Sequence, residues 1–469
     1  EVLFTEGIWM NRKSFTSTGY AVEDLSSAVH FYTETIEVNG LSSIAFFEAG
    51  ESYKGKRFYW QNREKTFTLV GLGHAHIITS SSEDSRFEEV DKQWNELCSK
   101  IVNEEQDLQP ILFGGFSFDP ENHLSSEWDM FPSAYFAVPS FQLVIRDDRV
   151  FISIHLVTNE LDSQHLFDHL RSERDDLIHA AQVKELKPYA KPLLINLEER
   201  FKELYLDAVS HVTKLIHAGE AQKVVIARSL SLTFAEDVSS PSAMYHVSKE
   251  QPESFLFGLE LGDNLFFGAT PERLVKVENR KALSTCLAGS IKRGQTATED
   301  QQLGNELIQD SKNREEHQYV VDMITDVFKQ YCEDVKVPKF PKLMKIRDIQ
   351  HLFTPVEGSL QKGQGLLQLV KDLHPTPALG GEPRKDAMAI IRMVEQMNRG
   401  YYAAPVGWID AEGNGEFAVA IRSALLNKQK AYLYAGGGIV ADSDPISEYA
   451  ETLVKFRPML RTLGGKLNG

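Results

Sequence analysis

Residues 436–455, GGGIVADSDPISEYAETLVK, bring glycines, carboxylates and a lysine together in one short stretch. Gly436, Gly437 and Gly438 follow an apolar run at 431–435, the pattern expected where a strand ends in a loop with exposed backbone N–H groups. Asp444-Pro445 reads as a helix start, with Asp444 as N-cap and Pro445 at the first helical position. In that helix Glu448, Glu451 and Lys455 fall at i, i+3 and i+7 and share a face. Ile446, Tyr449, Leu453 and Phe456 supply the apolar face. Two carboxylates beside a lysine, next to an amide-rich loop, can hold a divalent ion and an anion together. Acidic pairs at this spacing are also common on solvated helices, so the rest of the chain has to decide.

Polar residues inside otherwise apolar strands are the next signal. In residues 417–425, FAVAIRSAL, period-2 alternation puts Ala418, Ala420, Arg422 and Ala424 on one face of a strand. Alanines around a planar, permanently charged fork leave room for a carboxylate ligand, and alanine is a poor choice for an exposed strand face. Tyr402 and Ala404 repeat the arrangement on a strand expected at 401–409. Lys223 opens the strand KVVIAR; such a lysine is usually solvated, but burial or a nearby cation would lower its pKa and let it serve as a base. Glu272, in GATPE, sits where a strand and a proline constrain the backbone, though an exposed strand-end acid is common too. Glu316, in SKNREEH at 311–317, could pair across space with Glu451 to bind a hard cation, or face solvent as Glu315 could. HPTPALGG at 374–381 reads as a rigid loop shaped by its prolines.

Composition narrows the class. The chain has 469 residues, 42% hydrophobic and 25% charged, as in an ordinary soluble globular protein. A net charge of −17 argues against a general nucleic-acid or anionic-membrane binder, while leaving room for a small anion at a locally basic site. Cys98, Cys286 and Cys332 are odd in number and widely spaced, which points to a reduced, cytoplasmic setting. There is no bilayer-length apolar run and no signal-peptide core at the start; the initial glutamate points to a trimmed chain.

The expected elements fall into two parts. Residues 41–195 are strand-rich (43–47, 67–79, 111–118, 133–145, 150–157), with helices at 84–102 and 163–181. Lys187-Pro188 and Lys191-Pro192 mark a boundary between an N-terminal part, 1–196, and a catalytic domain, 197–469. Beyond it helices are expected at 198–217, 298–331 and 386–398. Strands are expected at 223–233, 254–260, 265–269, 280–288, 343–356, 401–409, 415–426 and 431–435, the second and third joined as a hairpin. No solenoid-length repeat is present. These connections predict an α+β fold with large, mostly antiparallel sheets and helices packed outside. The glycine triplet matches neither GxGxxG nor GxxxxGK[ST], so a nucleotide loop is a poor reading.

From residue 197 to 463 the motifs KVVIAR, GATPERL, LAGS, KNREEH, QHLF, HPTPALGG, AIRSAL, AGGGIV and SEYAETLVK occur in an order that resembles the chorismate-utilising enzymes, the anthranilate synthase component I-like family. GGFSFD at 114–119 also looks familial. The resemblance implies that Glu316 and Glu451 bind Mg2+, with Glu448 in support. It implies Lys223 as the base that activates water and Glu272 as the acid that protonates the departing C4 hydroxyl. Ser290, His351, Tyr402, Arg422, Gly436 to Gly438 and Lys455 match positions around the substrate carboxylates and the metal. Asn313 stands where some relatives carry another acid, and Ser290 where several have threonine.

Within the family, LAGS at 287–290 lacks the lysine of the aminodeoxychorismate synthase PIKG-type motif, and HPTPA looks like the isochorismate synthases. A water nucleophile follows. The implied activity is a magnesium-dependent isomerase making isochorismate from chorismate, with menaquinone biosynthesis as the expected pathway and no obligate glutamine amidotransferase partner. The alternatives are salicylate synthase, an isochorismate synthase of catechol siderophore biosynthesis, and a non-catalytic chorismate- or anion-binding module.

Overall fold

The computed structural model describes residues 29–102, 108–124, 126–159, 164–184 and 188–466. Glu1, Ser163 and Lys187, which carried expectations above, lie outside them. The described residues form two large sheets in which every paired strand runs antiparallel. The α+β architecture with helices packed outside is the one expected.

The first sheet has twelve strands among the described residues. Its order begins His30–Val38, Arg149–Thr158, Phe141–Arg146, Phe67–Leu72, Arg57–Gln61. It continues through Phe255–Leu261, Asn264–Thr270, Ser423–Asn427, Lys430–Ile439 and Lys223–Phe234, with Gly381–Glu382 and Leu194–Arg200 on the far edge. The second sheet has ten among the described residues, from Cys332–Lys336 through Ile349–Leu360, Lys281–Lys292, Arg273–Glu278, Gly415–Val419, Pro405–Asp410, Ile111–Phe116 and Ala134–Val138 to His76–Ser80, with Lys342–Lys345 also paired to Ile349–Leu360. Strands from both sides of residue 196 therefore lie in both sheets. Arg57–Gln61 pairs with Phe255–Leu261, and Ile111–Phe116 with Pro405–Asp410.

Aromatic side chains fill the space between the sheets. Phe58 stacks on Phe113 and Phe67 on Trp408, each pair with ring centroids 4.6 Å apart. On the outer face of the first sheet a second core packs under Ser43–Ala49, Gln164–Val183, Ser240–Glu250 and Pro445–Thr462. Lys223–Phe234 is buried on both faces over most of its length, which explains its near-continuous apolar run.

Local chemistry sets the boundaries that differ from expectation. Residues 43–47, read as a strand, form the helix Ser43–Ala49, whose N-terminus Ser42 caps by accepting from Ala45 N; a short apolar run does not by itself separate the two states. The helical region at 298–331 is two helices, Ala297–Gln309 and Ser311–Tyr331. Asp310 leaves the helical conformation between them and accepts from Asn313 N at 2.7 Å, so it starts the second helix one turn before Glu316. The strand expected at 415–426 is two strands in different sheets, Gly415–Val419 and Ser423–Asn427. The strand expected at 401–409 begins only at Pro405, after a turn. Gly436 to Gly438 do not form a loop; they continue the strand Lys430–Ile439. Asp444 does cap Pro445–Thr462, accepting from Ser447 N at 2.9 Å, but Ile446 is exposed rather than part of an apolar face.

Arg57 and Glu260 tie the early strands to the later ones. Arg57 donates from Nε and Nη2 to the two oxygens of Glu260, each at 2.8 Å, and both side chains are buried. Gly55 N adds a third bond to the same carboxylate at 2.8 Å. Removing Glu260 leaves buried Arg57 with only the exposed Glu51 at 3.3 Å as a charge partner, so Glu260→Ala is expected to cost about 3 kcal/mol in urea unfolding of the whole chain.

Candidate active site

Two segments carry the chain from one sheet to the other side by side. One runs from Thr270 to Arg273 and holds Glu272; the other runs from Val419 to Ser423 and holds Arg422. They are bonded to each other: Val419 N donates to Glu272 O at 3.0 Å, and Ala269 N to Arg422 O at 3.1 Å. Arg422 adopts φ 51, in the left-handed region, so the arginine enters the site from a kink and not from a strand face. Ala420 bonds the Tyr401–Ala404 turn in both directions, at 3.1 and 2.9 Å, which sets Tyr402 beside it.

A cavity of about 350 Å³ opens beside these crossings, within the roughly 300–1,000 Å³ of small-molecule sites. Twelve of the thirteen residues singled out from the sequence line it. Lys223, Glu272, Glu316, Glu448, Glu451 and Lys455 contribute the charged groups alongside Arg422. Ser290, His351, Tyr402, Gly436 and Gly438 complete the set, and Gly437 alone is turned away. Ser290 is exposed at the mouth, after an irregularity in the strand between Leu287 and Ser290.

Lys223 is buried, 7% exposed, and its Nζ donates to Glu316 Oε1. Its side chain crosses the neighbouring strand at Gly438, where a Cβ would come within 2.6 Å of Lys223 Cε. Glycine is therefore what lets the lysine reach the cavity. Glu272 is buried, and that burial pushes its carboxyl up from 4.5 to about 7 against the opposing pull of Lys223 and Arg422.

The anion-binding side is equally defined. Arg422 Nη1 donates to Lys455 O at 3.1 Å. Burial, helped by Arg422 and Lys455, brings His351 down to about 3, so the ring is neutral; Gly289 takes one ring N–H, and Nε2 has no partner among the described residues. Tyr402 is raised to about 12 by burial and stacks on Tyr434 with centroids 5.3 Å apart. Lys455 Nζ bonds Glu451 Oε1 at 2.6 Å and Gly436 O at 2.8 Å. Glu451 is held below the usual carboxylate range chiefly by Lys455, whereas burial raises Glu448, which accepts from Ser443 Oγ at 2.7 Å. Beyond Leu433 the edge of Lys430–Ile439 opposite Lys223–Phe234 pairs with no strand among the described residues, which leaves it open toward Lys455.

A neutral acid, a buried lysine, an arginine and three carboxylates around one cavity suit proton transfer on a small anionic molecule. The chain matches the family described as chorismate binding enzyme over residues 21–464. It belongs to that family. It is 40% identical over 440 residues to isochorismate synthase MenF of Bacillus subtilis, covering 92% of this chain and 93% of the relative. It is 35% identical over 438 residues to the salicylate biosynthesis isochorismate synthase of Pseudomonas aeruginosa, covering 92% and 90%. Among solved structures it is similar to MenF, the menaquinone-specific isochorismate synthase from Escherichia coli, with a TM-score of 0.77 and 25% identity over 92% of this chain and 94% of the other.

Some residues of this chorismate-binding enzyme's cavity escaped the sequence reading. Arg399, which is buried, donates to Val225 O at 2.7 Å and Leu379 O at 3.0 Å, and pairs with Glu395. Glu395 in turn accepts from Ala227 N at 2.7 Å. The pair staples the 374–381 loop to the strand that begins at Lys223; its i, i+4 spacing was the available signal. Tyr434, which donates to Glu127 Oε1 at 2.6 Å, had no local signal.

The acid's environment has a measurable consequence. A folded-state carboxyl at about 7 binds its proton where the unfolded chain, titrating near 4.5, has lost it. The contribution of Glu272 to stability therefore falls as pH rises between those values and is flat outside them. Glu272→Gln is expected to be more stable than the parent by about 3 kcal/mol at pH 8, with no difference below pH ~4, in urea unfolding across pH.

Proposed function

We propose that this chain is an isochorismate synthase of the menaquinone type, an isomerase that converts chorismate to isochorismate. One observation carries the mechanism: Lys223 and Glu272 line the same cavity, and Glu272 keeps its proton up to about pH 7. Lys223, in its neutral form, takes a proton from water as that water attacks C2 of the ring. Glu272 donates its proton to the C4 oxygen, which leaves as water while the double bonds shift. One water enters and one departs, so substrate and product are isomers. Acid and base must start in opposite protonation states, and a buried carboxyl facing a lysine supplies the first half of that condition.

The other residues orient the substrate. Arg422 offers a planar fork to one carboxylate, with Tyr402 beside it and the neutral His351 as an acceptor. Among the described residues no three His, Cys, Asp or Glu side chains are drawn together as a metal cluster. Magnesium nonetheless fits the donor set, because it keeps several waters and needs only one or two carboxylates plus substrate oxygens. Glu316 and Glu451 would hold it, with Glu448 in support. When bound, it would neutralise the ring carboxylate and fix the ring between base and acid. Glu316 now accepts from Lys223, so it has to release the amine for the amine to serve water. No helix among the described residues is long and apolar enough to cross a membrane. A cytoplasmic enzyme acting without an amidotransferase partner is the setting proposed.

The second reading is the salicylate synthase expected as an alternative from the sequence; the Pseudomonas relative, by its name an isochorismate synthase, puts the first reaction in a salicylate pathway. Purified protein incubated with chorismate and magnesium, its products resolved chromatographically, separates the two. Isochorismate alone is expected; salicylate with pyruvate release would transfer the chain to the second reading, and unchanged chorismate would sink both. Lys223→Ala and Glu272→Gln should each lower kcat by about 10²–10⁴-fold, and a chelator should stop turnover. Undiminished activity in Lys223→Ala would remove the lysine from the role of base.

A further inference from the structure

Gly437 is the member of the glycine triplet that the cavity does not use. Alternation along Lys430–Ile439 turns it to the opposite face, where it is buried while Gly436 and Gly438 are half-buried. A Cβ at Gly437 would stand 3.1 Å from Glu448 Oε2 and 3.4 Å from the Tyr205 hydroxyl. The two side chains thus come in from different helices, Pro445–Thr462 and Lys202–His217, and flank a gap that only glycine leaves open.

Tyr205 is 2% exposed, yet its hydroxyl has no hydrogen-bond partner among the described residues. A buried donor without an acceptor costs free energy, and native proteins rarely leave one unserved. Packing does not let it turn elsewhere: helix Lys202–His217 holds Tyr205 in the core, and the Arg228 guanidinium lies over the ring at 5.9 Å. Glu448 uses Oε1 to accept from Ser443, and Oε2 is the oxygen that faces the gap.

We infer that Tyr205 is a positioning residue for the carboxylate cluster. Its hydroxyl donates to Glu448 Oε2, directly or through one water, when Glu448 serves a bound cation, and so fixes how that carboxylate is presented. The inference rests on the metal-binding reading of Glu316, Glu448 and Glu451 given above. It explains together an orphaned hydroxyl, a glycine that the cavity does not need, and a half-buried carboxylate with one oxygen committed. Partners of this kind, behind a metal's own ligands, typically carry 10–100-fold in metal affinity.

Tyr205→Phe removes only the hydroxyl. Two measurements are made on it, thermal melting without metal and calorimetric titration with magnesium, with Glu451→Gln as a companion. The expected result is a metal-free Tm equal to or above that of the parent, because an unpartnered group is lost, together with roughly tenfold or more weaker magnesium binding. A metal-free Tm several degrees lower would show that the hydroxyl serves the fold itself and overturn the inference. Magnesium affinity unchanged in Tyr205→Phe but lost in Glu451→Gln would overturn it while sparing the metal site. Affinity unchanged in both would remove the metal-binding reading, and the inference with it.

Discussion

The site depends on a constraint of topology: two of the places where the chain passes from one sheet to the other lie side by side, and those two crossings are hydrogen-bonded to each other. A crossing interrupts the pairing ladder of both sheets, so its polar groups need partners and its side chains escape strand alternation. Glu272 and Arg422 occupy these positions. Glu272 is buried and Arg422 half-buried because two layers of aromatic and aliphatic side chains close around them, and they face a cavity because neither sheet can fill the space at the crossing. The small residues Ala403, Ala404 and Ala420 are what let the segments lie so close.

Burial then sorts the ionisable groups by whether a partner is at hand. Glu272 has opposite charges nearby but loses more to desolvation than they return, and it stays protonated up to about pH 7. Glu451 has Lys455 and Arg422, and it is held ionised. His351 is pressed between burial and two cations and stays neutral. Three groups within one cavity thus hold different protonation states for reasons that are local to each, which is how a single site can offer a proton donor, a fixed anion and a neutral acceptor at one pH.

Much of this was legible in the sequence, and the misses follow a pattern. The helix cap at Asp444 and the shared face of Glu448, Glu451 and Lys455 are local, and local chemistry fixed them. Arg422 was read into the site for the right neighbours and the wrong backbone: alanines surround it because chain segments pack there, not because a strand face is bare. The glycine triplet was read as a loop, since three glycines are poor strand formers. They are a strand because Lys223 and Glu448 need the volume a side chain would take. Arg399 and Glu395 pair locally, but their bonds to Val225, Leu379 and Ala227, like Tyr434 on Glu127 and Tyr205 beside Glu448, span at least twenty positions, which no local window contains.

The net charge of −17 leaves one apparent conflict, because the proposed substrate is itself an anion with two carboxylates. Screening resolves it. At physiological ionic strength the field of exposed charges decays over about 8 Å, so most of the acidic surface contributes little at the floor of a cavity. What a ligand meets there is the half-buried Arg422, with Lys223 and Lys455 each already facing a carboxylate. Those two ion pairs keep the cavity near neutrality without ligand, which spares the fold the cost of several unpaired buried cations. A substrate carboxylate can then replace Glu451 as the partner of Lys455, freeing that glutamate for a divalent cation. Anion and cation would each make room for the other, so their binding should be mutually reinforcing, by the reciprocity that links any two ligands of one site.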